Sequence, residues 1–352
     1  MNILYVGELN QGGTCLSRLE ALNNIQSDIF ILDTNALFQW DKMNRLNRFF
    51  ERYTLLGKKI RRANKELLHE VEKNEIEVLW LDTAYWIYQE TLEILHKRGV
   101  FLINYTTDAF FPLNRKLFLS RRLMRKTIKF FDVLITTNAV DYERFSLDRD
   151  YDGIELILSQ NGYDSSRFKE SEDFLNANEN LKHELVFIGH HEPETERKII
   201  EIVKADLPIV VYGNHHWFSS RAAKVLKDNL KPALNSKDYE CALRQASIAL
   251  CFVSHWNYNT TAGRSFEITR SGTFLLAEKT SEHLNCFKEG KEAEFFDDEK
   301  ELIEKIKFYL NEPKKREEIA YKGLLRCKNS AYSWEDNIQR DWLKVKEIIN
   351  KK

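Results

Sequence analysis

Residues Ala246–Glu278 read ASIALCFVSHWNYNTTAGRSFEITRSGTFLLAE. IALCFV is a short, unbroken apolar run of the kind that fills a buried parallel strand. The loop from Ser254 to Gly263 has no apolar period, so it is not there to fill a core. RSFEITRSG reads as a helical segment closed by Gly272, and FLLAE as a second buried strand. Arg264 and Glu267 stand three apart and share one helix face. A cation and a carboxylate at the N-terminal end of such a helix suit an anionic group beside a sugar hydroxyl.

The same strand–helix alternation extends both ways. In the N-terminal half the strands are NILYVG (Asn2–Gly7), DIFILD (Asp28–Asp33), EVLWLD (Glu77–Asp82), VFLINY (Val100–Tyr105), DVLITT (Asp132–Thr137) and the start of ELILSQNGYD (Glu155–Asp164). Residues Gln39 to Lys73 read as long, basic helix. The polar stretch Asp164 to His183 is the natural linker. After it come ELVFIG (Glu184–Gly189), PIVVYG (Pro208–Gly213), the two strands already quoted and EAEFF (Glu292–Phe296), with helices from Asp298 to about Lys328 and from Trp334 to Asn350. This pattern predicts α/β architecture with doubly wound parallel sheets and right-handed crossovers. Ligands in such sheets sit beyond the carboxyl ends of the strands, which points to Gly7–Gly13, Tyr105–Asp108, Gly189–Arg197, Gly213–Trp217 and His255–Arg264.

Composition narrows the class. With 352 residues and 43% hydrophobic content, the chain is long enough for two globular domains. No window approaches 18 apolar residues in a row, and MNILYVGE enters a strand directly, without a charged leader and apolar core. Five scattered cysteines lack any CxxC spacing, which argues for a reducing compartment and against a zinc site. A net charge of −1 gives no bulk reason to bind nucleic acid. A cytoplasmic location is the expectation.

These segments carry a resemblance. The C-terminal half is similar to the glycosyltransferase domain of the CgeB-like group, the spore maturation protein CgeB type, which has the GT-B fold. It rests on LVFIGHHEPETER (Leu185–Arg197), IVVYGNHHW (Ile209–Trp217), SKDYECALRQASIALCF (Ser236–Phe252), the run from Thr261 to Leu310, and REEIAYKGLLRCKNSAYSWEDNIQRDW (Arg316–Trp342). The N-terminal half matches more loosely through ILYVGE, NYTTDAF and DVLITTN. The resemblance implies two Rossmann-like domains facing across a cleft. Residues 1–165 would be the acceptor side and 166–332 the nucleotide-sugar donor domain, with a terminal helix, 333–352, crossing back to the first domain. It also implies glycosyl transfer without a bound metal and without a cofactor beyond the nucleotide-sugar, with cations and helix N-termini neutralising the diphosphate.

The resemblance places Glu267 at the second carboxylate of a Glu-seven-residues-Glu motif, on the donor ribose. Two acceptor oxygens suit vicinal hydroxyls; the bland alternative is an ion pair with Arg264 or Arg270. The first Glu of the motif falls at Asn259, which is uncharged, so any lean toward retention of anomeric configuration is slight. Arg264 is the candidate diphosphate ligand, its guanidinium fork matching two phosphate oxygens. Thr260, Thr261 and Gly263 allow backbone to approach a phosphate. By the family pattern Gly189 and His190 lie under the donor, with Arg197 near the phosphates. Tyr212 and Trp217 suit base stacking or plain core, beside Gly213. The pairs His190-His191 and His215-His216 lack the spacing of a metal site. Gly12 and Gly13 permit close packing after the first strand or form a plain turn. Asp108 is the candidate base for an acceptor hydroxyl, with Asp82 in reserve; a helix cap or turn is the bland reading of Asp108.

Two basic stretches stand apart. Lys42–Lys65 has a strong positive excess, and Asn114–Phe131 has seven Lys or Arg and no acid. Interleaved with Phe118, Leu119, Leu123 and Met124, the second reads as a solvated face or as a surface for an anionic membrane or lipid-linked glycan. The leading expectation is a glycosyltransferase peripheral to the inner face of the cell membrane, acting on a glycan or lipid-linked surface-polysaccharide precursor. A non-catalytic nucleotide-sugar-binding or scaffold subunit is the alternative, supported by Asn259. An epimerase or phosphorylase on a similar fold is a third reading, without its own signature, and a nucleic-acid-binding module the weakest. Donor base, sugar, acceptor and oligomeric state leave no mark in the sequence.

Overall fold

The computed structural model describes residues 1–168 and 183–351, apart from the Asp41 side chain. Most of the expected linker, Asp164–His183, therefore lies outside the described residues. The chain divides into two units. The first is Met1–Gln160 with Trp256–Asn259 and Trp334–Lys352; the second is Asn161–His255 with Thr260–Ser333. The first segment of the first unit ends at Gln160, and four residues of the long loop after IALCFV group with that unit.

The first unit is built on six parallel strands: β1 (Ile3–Gly7), β2 (Ile29–Asp33), β3 (Val78–Asp82), β4 (Phe101–Thr106), β5 (Val133–Thr136) and β6 (Glu155–Leu158), in the order β2-β1-β3-β4-β5-β6. Successive side chains point to opposite faces. Leu4, Val6, Leu79, Leu81, Leu102 and Leu134 therefore build one core, and Ile3, Tyr5, Val78, Trp80, Ile103, Tyr105 and Ile135 the other. That second core is closed by the helices Thr14–Asn23 and Trp334–Ile349, which pack together and bury Leu19, Leu22, Ile338, Trp342 and Val345. The terminal helix thus groups with the first unit.

The expected single helix over Gln39–Lys73 is broken. A 3₁₀ turn (Trp40–Lys42) precedes helices Arg45–Thr54 and Lys58–Lys73. Leu55 takes a left-handed φ of 55°, and Gly57 is pressed against Glu51: a Cβ there would lie 2.0 Å from the Glu51 Cδ. A tight turn pinned by a side chain, not helix propensity, decides this segment.

The second unit repeats the plan with β7 (His183–Ile188), β8 (Ile209–Gly213), β9 (Leu230–Pro232), β10 (Ala246–Cys251), β11 (Phe274–Glu278) and β12 (Glu294–Phe296). Their order is β12-β11-β10-β7-β8-β9, all parallel. Only β9 escapes the sequence pattern, since LKP carries neither length nor apolar run. Counted within the unit this is the doubly wound order 3-2-1-4-5-6, whose direction reverses between its first and fourth strands, β7 and β10. In the first unit the corresponding reversal lies between β1 and β3.

Candidate functional site

In the second unit the loops after β7 and β10 flank the reversal point, where such sheets bind ligands. Gly189 follows β7. A Cβ at this position would lie 2.9 Å from Arg264 Nη1 and 2.8 Å from Phe187 Cζ, so glycine lets the guanidinium lie against the backbone. The Arg264 Cζ stands 5.6 Å from the centre of the Phe187 ring. Its Nε is buried and has no hydrogen-bond partner among the described residues.

Arg264 sits in the first turn of the helix Gly263–Arg270, whose N-cap, Ala262, supplies no side-chain cap. The Ser265 amide turns back to the Ala262 carbonyl at 3.0 Å, which leaves the Gly263 and Arg264 amides for an anion. Gly263 approaches another backbone closely, a Cβ there lying 3.3 Å from the Gly162 oxygen. One turn on, Glu267 accepts a hydrogen bond of 2.6 Å from the Tyr239 hydroxyl and makes no ion pair with Arg264 or Arg270. Burial holds its carboxyl above the usual range, against the pull of the Tyr239 hydroxyl and of Arg167 and Arg264. Thr280 donates to the Thr260 carbonyl at 2.6 Å, and Asn161 to the Thr261 hydroxyl at 3.1 Å, which fixes the approach to this helix.

A second cluster gathers beside it. The helix Pro193–Lys204 buries Lys198, whose ammonium lies 3.1 Å from Glu278 at the end of β11. Glu278 also meets His255 Nε2 at 2.8 Å, and that hydrogen bond raises the His255 pKa. Glu192 accepts from Ser254.

In the first unit, the reversal between β1 and β3 opens into a cavity of about 270 Å³. Aromatic walls come from Phe38, Trp40, Tyr53, Tyr85 and Trp86, and the polar groups include Asp108 and Arg121. Tyr85 donates to Asp108 at 2.6 Å, and Arg121 Nη2 lies 3.2 Å from the same carboxylate oxygen. The Asp108 side chain stays 34% exposed, so it keeps room for a ligand. Trp86 Nε1 and Arg121 Nε are buried donors without partners among the described residues. The volume is at the small end of the roughly 300–1,000 Å³ range of ligand pockets and suits one ring rather than a chain.

Residues 193–340 match the family described as glycosyl transferase-like. In structure, HepE of Anabaena in complex with UDP-glucose superposes at a TM-score of 0.67 and 11% identity, over 99% of this chain and 100% of its own. Sucrose-phosphate synthase from Thermosynechococcus elongatus gives 0.71 at 10% identity, over 100% of both chains. A glycosyltransferase from Rickettsia africae ESF-5 gives 0.66 at 11% identity, over 100% of this chain and 99% of its own. No curated protein matches this sequence. Residues 193–340 are thus similar to a glycosyl transferase-like family, and the chain has the GT-B fold.

Within the second unit, Gly189, Arg264 and Glu267 come together, and Gly263, Thr260 and Thr261 shape the approach. Arg197 does not join them. It is 56% exposed and ion-paired with Glu194 and Glu299 at 2.8 Å each; the inward cation is its neighbour Lys198, which the sequence reading missed. His190 is exposed and bonds Asn214 at 3.0 Å, and His191 pairs with Glu196 at 3.1 Å. The Trp217 indole is fully buried and donates to the Gly189 carbonyl at 2.9 Å, with Gly213 leaving it room. It is core, not a base platform. Tyr212 bonds His183 at 3.1 Å.

Asn259 belongs with the first unit, where Asn138 reaches its side chain at 3.4 Å. There Gly12 takes a φ of 77° and Gly13 precedes the Thr14–Asn23 helix, which is turn geometry. The reserve base Asp82 is fully engaged. Arg18 binds it at 2.7 and 2.8 Å, with Tyr5 and Thr83 completing a buried network.

Proposed function

We propose that the chain is a metal-independent glycosyltransferase. It moves a sugar from a nucleotide-sugar to a hydroxyl of a glycan or lipid-linked surface-polysaccharide precursor at the cytoplasmic face of the membrane. The CgeB-like group is the family it resembles within the GT-B fold. The observation that carries the reading is Arg264, a half-buried cation without an ion pair among the described residues, its buried Nε unpartnered, laid against Gly189 at the strand reversal and one helix turn from Glu267. HepE, which shares the fold, is described with UDP-glucose bound, and that supports a UDP-sugar as the first donor to try.

In this reading Arg264 and the open amides of the 263–270 helix take the diphosphate. Lys198 adds a second cation, and Glu267, set by Tyr239, takes the ribose hydroxyls. The bond from the anomeric carbon to the diphosphate oxygen breaks, and the acceptor oxygen bonds to that carbon. Asp108 receives the acceptor's proton on an inverting path, where a general base is worth roughly 10²–10⁴-fold. On a retaining path, the departing diphosphate receives it.

The test is thermal denaturation with UDP, GDP, dTDP and CMP and their sugar conjugates, with and without EDTA. A rise from one nucleotide, unchanged by EDTA and lost in Glu267→Ala, supports the reading and names the base. A rise that EDTA abolishes overturns metal independence. Asn259, in place of a motif carboxylate, favours one alternative, a nucleotide-sugar-binding subunit without turnover. Donor binding with neither transfer nor slow donor hydrolysis would establish it.

A further inference from the structure

The helix Arg45–Thr54 is turned inside out. Its apolar residues Leu46, Phe49 and Phe50 fall on one face by helical spacing, yet they are 81%, 59% and 54% exposed. Its one buried residue is the acid Glu51. That carboxylate accepts the backbone N–H groups of Lys59 and Ile60 and so caps the Lys58–Lys73 helix, which Gly57 permits by lacking a Cβ. This anchor fixes the rotation of the 45–54 helix, so the rings face outward by construction and not through fraying.

The exposed face continues onto the helix Arg115–Ser120, which packs beside it and leaves Phe118 and Leu119 41% and 48% exposed. Leu56 adds 60%. The charge around these rings has one sign. Between Lys42 and Lys65 there are nine Lys or Arg, and the only acid is the inward Glu51; Asn114–Phe131 has none. Not every cation there is available. Arg121 is buried against Asp108, while Arg122 and Arg125 are spent on the carbonyls of Tyr53, Thr54, Phe110 and Phe118. Arg45, Arg115 and Lys116 remain exposed, without an ion pair among the described residues.

We propose that this face docks on an anionic lipid surface. Apolar rings ringed by unpaired cations are the composition of a helix lying in the headgroup layer, where burial and charge attraction add. A protein partner would need an acidic, apolar groove of matching shape; a second copy would bring cation against cation. Arg52, Tyr53 and Leu117 also line the first unit's cavity, so docking places that cavity beside the bilayer. The further step, that a lipid-linked acceptor enters from there, rests on the proposed function. Docking itself does not.

The full chain is sedimented with phosphatidylcholine vesicles, with and without phosphatidylglycerol, over a salt series. Binding is expected only with the anionic lipid and is expected to weaken as salt screens it. Phe49→Ser with Phe50→Ser is expected to lower partitioning by on the order of tenfold or more while leaving the melting temperature unchanged, since both rings are already exposed. Arg45→Glu with Lys116→Glu provides a second variant that spares the rings. Equal binding to neutral vesicles, or parental binding by both variants, overturns the proposal. So does self-association in solution that the serine variant abolishes. Because no nucleotide is present, failure here leaves the donor reading untouched, and failure of nucleotide binding leaves this one untouched.

Discussion

Replacing Arg264 by Met separates a ligand residue from a structural one by the signs of two effects. In the unliganded protein, among the described residues, Arg264 has no ion pair and its buried Nε lacks an acceptor. Leaving a buried donor unsatisfied costs about 1–3 kcal/mol. Met keeps most of the volume and removes that penalty. What is lost is the contact with the Phe187 ring at 5.6 Å, worth about 0.5–1 kcal/mol. Stability should therefore stay level or rise. Donor binding should move the other way. Two charge-assisted hydrogen bonds to a diphosphate contribute about 1.5–3 kcal/mol each, so affinity should fall by on the order of a hundredfold or more. At a ligand concentration of about a hundred times Kd, binding stabilises the parent by about 2.7 kcal/mol; with Kd raised a hundredfold, the same concentration gives only about 0.4 kcal/mol. At about 2–4 °C per kcal/mol, the ligand-induced rise in Tm should shrink from several degrees to about one. Thermal denaturation with and without the nucleotide reads both effects. A variant that loses more than about 2 kcal/mol unliganded, yet keeps its full nucleotide-induced rise, would show that Arg264 holds the fold and would refute the reasoning.

Tyr239→Phe removes the hydroxyl that draws the Glu267 carboxyl down against burial, so Glu267 should titrate still higher. Donor affinity should fall roughly tenfold at neutral pH and its acid limb should move upward; a pH series of nucleotide binding checks this, and an unmoved limb counts against Glu267 acting as a carboxylate. Burial lifts Asp341, in the terminal helix, and Asp141 each to about 6 from 3.8. A carboxyl raised in the folded state contributes stability that is complete below its unfolded pKa and is lost as pH rises through about 6. Urea unfolding should therefore weaken from pH 5 to 8, and Asp341→Asn should remove its share of that slope, no more than about 3 kcal/mol at pH 8. Arg18→Met strips the fully buried Asp82 of its cation and should cost about 3–5 kcal/mol in urea unfolding without touching donor binding in the second unit; a loss under about 1 kcal/mol would reopen Asp82 as a reactive group.

The fold was legible because each buried parallel strand announces itself as an apolar run that local chemistry alone creates: NILYVG, EVLWLD and IALCFV all became strands. The site was legible only where a role follows from residue type and immediate neighbours. Arg264 and Glu267 meet that condition, standing one turn apart on a helix opened by Gly263. Arg197 against Lys198 does not. Which residue faces inward depends on where the helix begins, and Pro193 at its first turn sets a rotation that puts Lys198 toward Glu278 and Arg197 toward Glu299. Asn257 and Asn259 are further out of reach, since their partners Arg121 and Asn138 stand more than a hundred positions earlier. The 45–54 helix shows the reverse error of pattern reasoning. Its period promises a core-facing stripe, and one acid capping the next helix turns that stripe outward.

Polar residues at the carboxyl ends of the strands, or in the loops just beyond, leave the core, so position alone does not separate scaffold from chemistry. Unspent bonding capacity does. Asp82 ends β3 with its oxygens taken by Arg18, Tyr5 and Thr83, and its side chain is fully buried; no group is left for a ligand to meet. Asp108, just past β4, has two donors on one oxygen and a third of its side chain open, so a hydroxyl can still add to it. Glu278 ends β11 with one oxygen on a partly exposed His255 and the other in an ion pair with Lys198. An arriving anion can take that cation in its place. Arg264 lies at the far end of the scale, a cation set by glycine, aromatic ring and helix geometry, with no ion pair among the described residues. A half-buried charge without an ion pair, one of its donors buried and unmet, carries a cost that a ligand of the opposite sign relieves, and that ordering, from Asp82 to Arg264, follows the order in which these residues are fit to bind one.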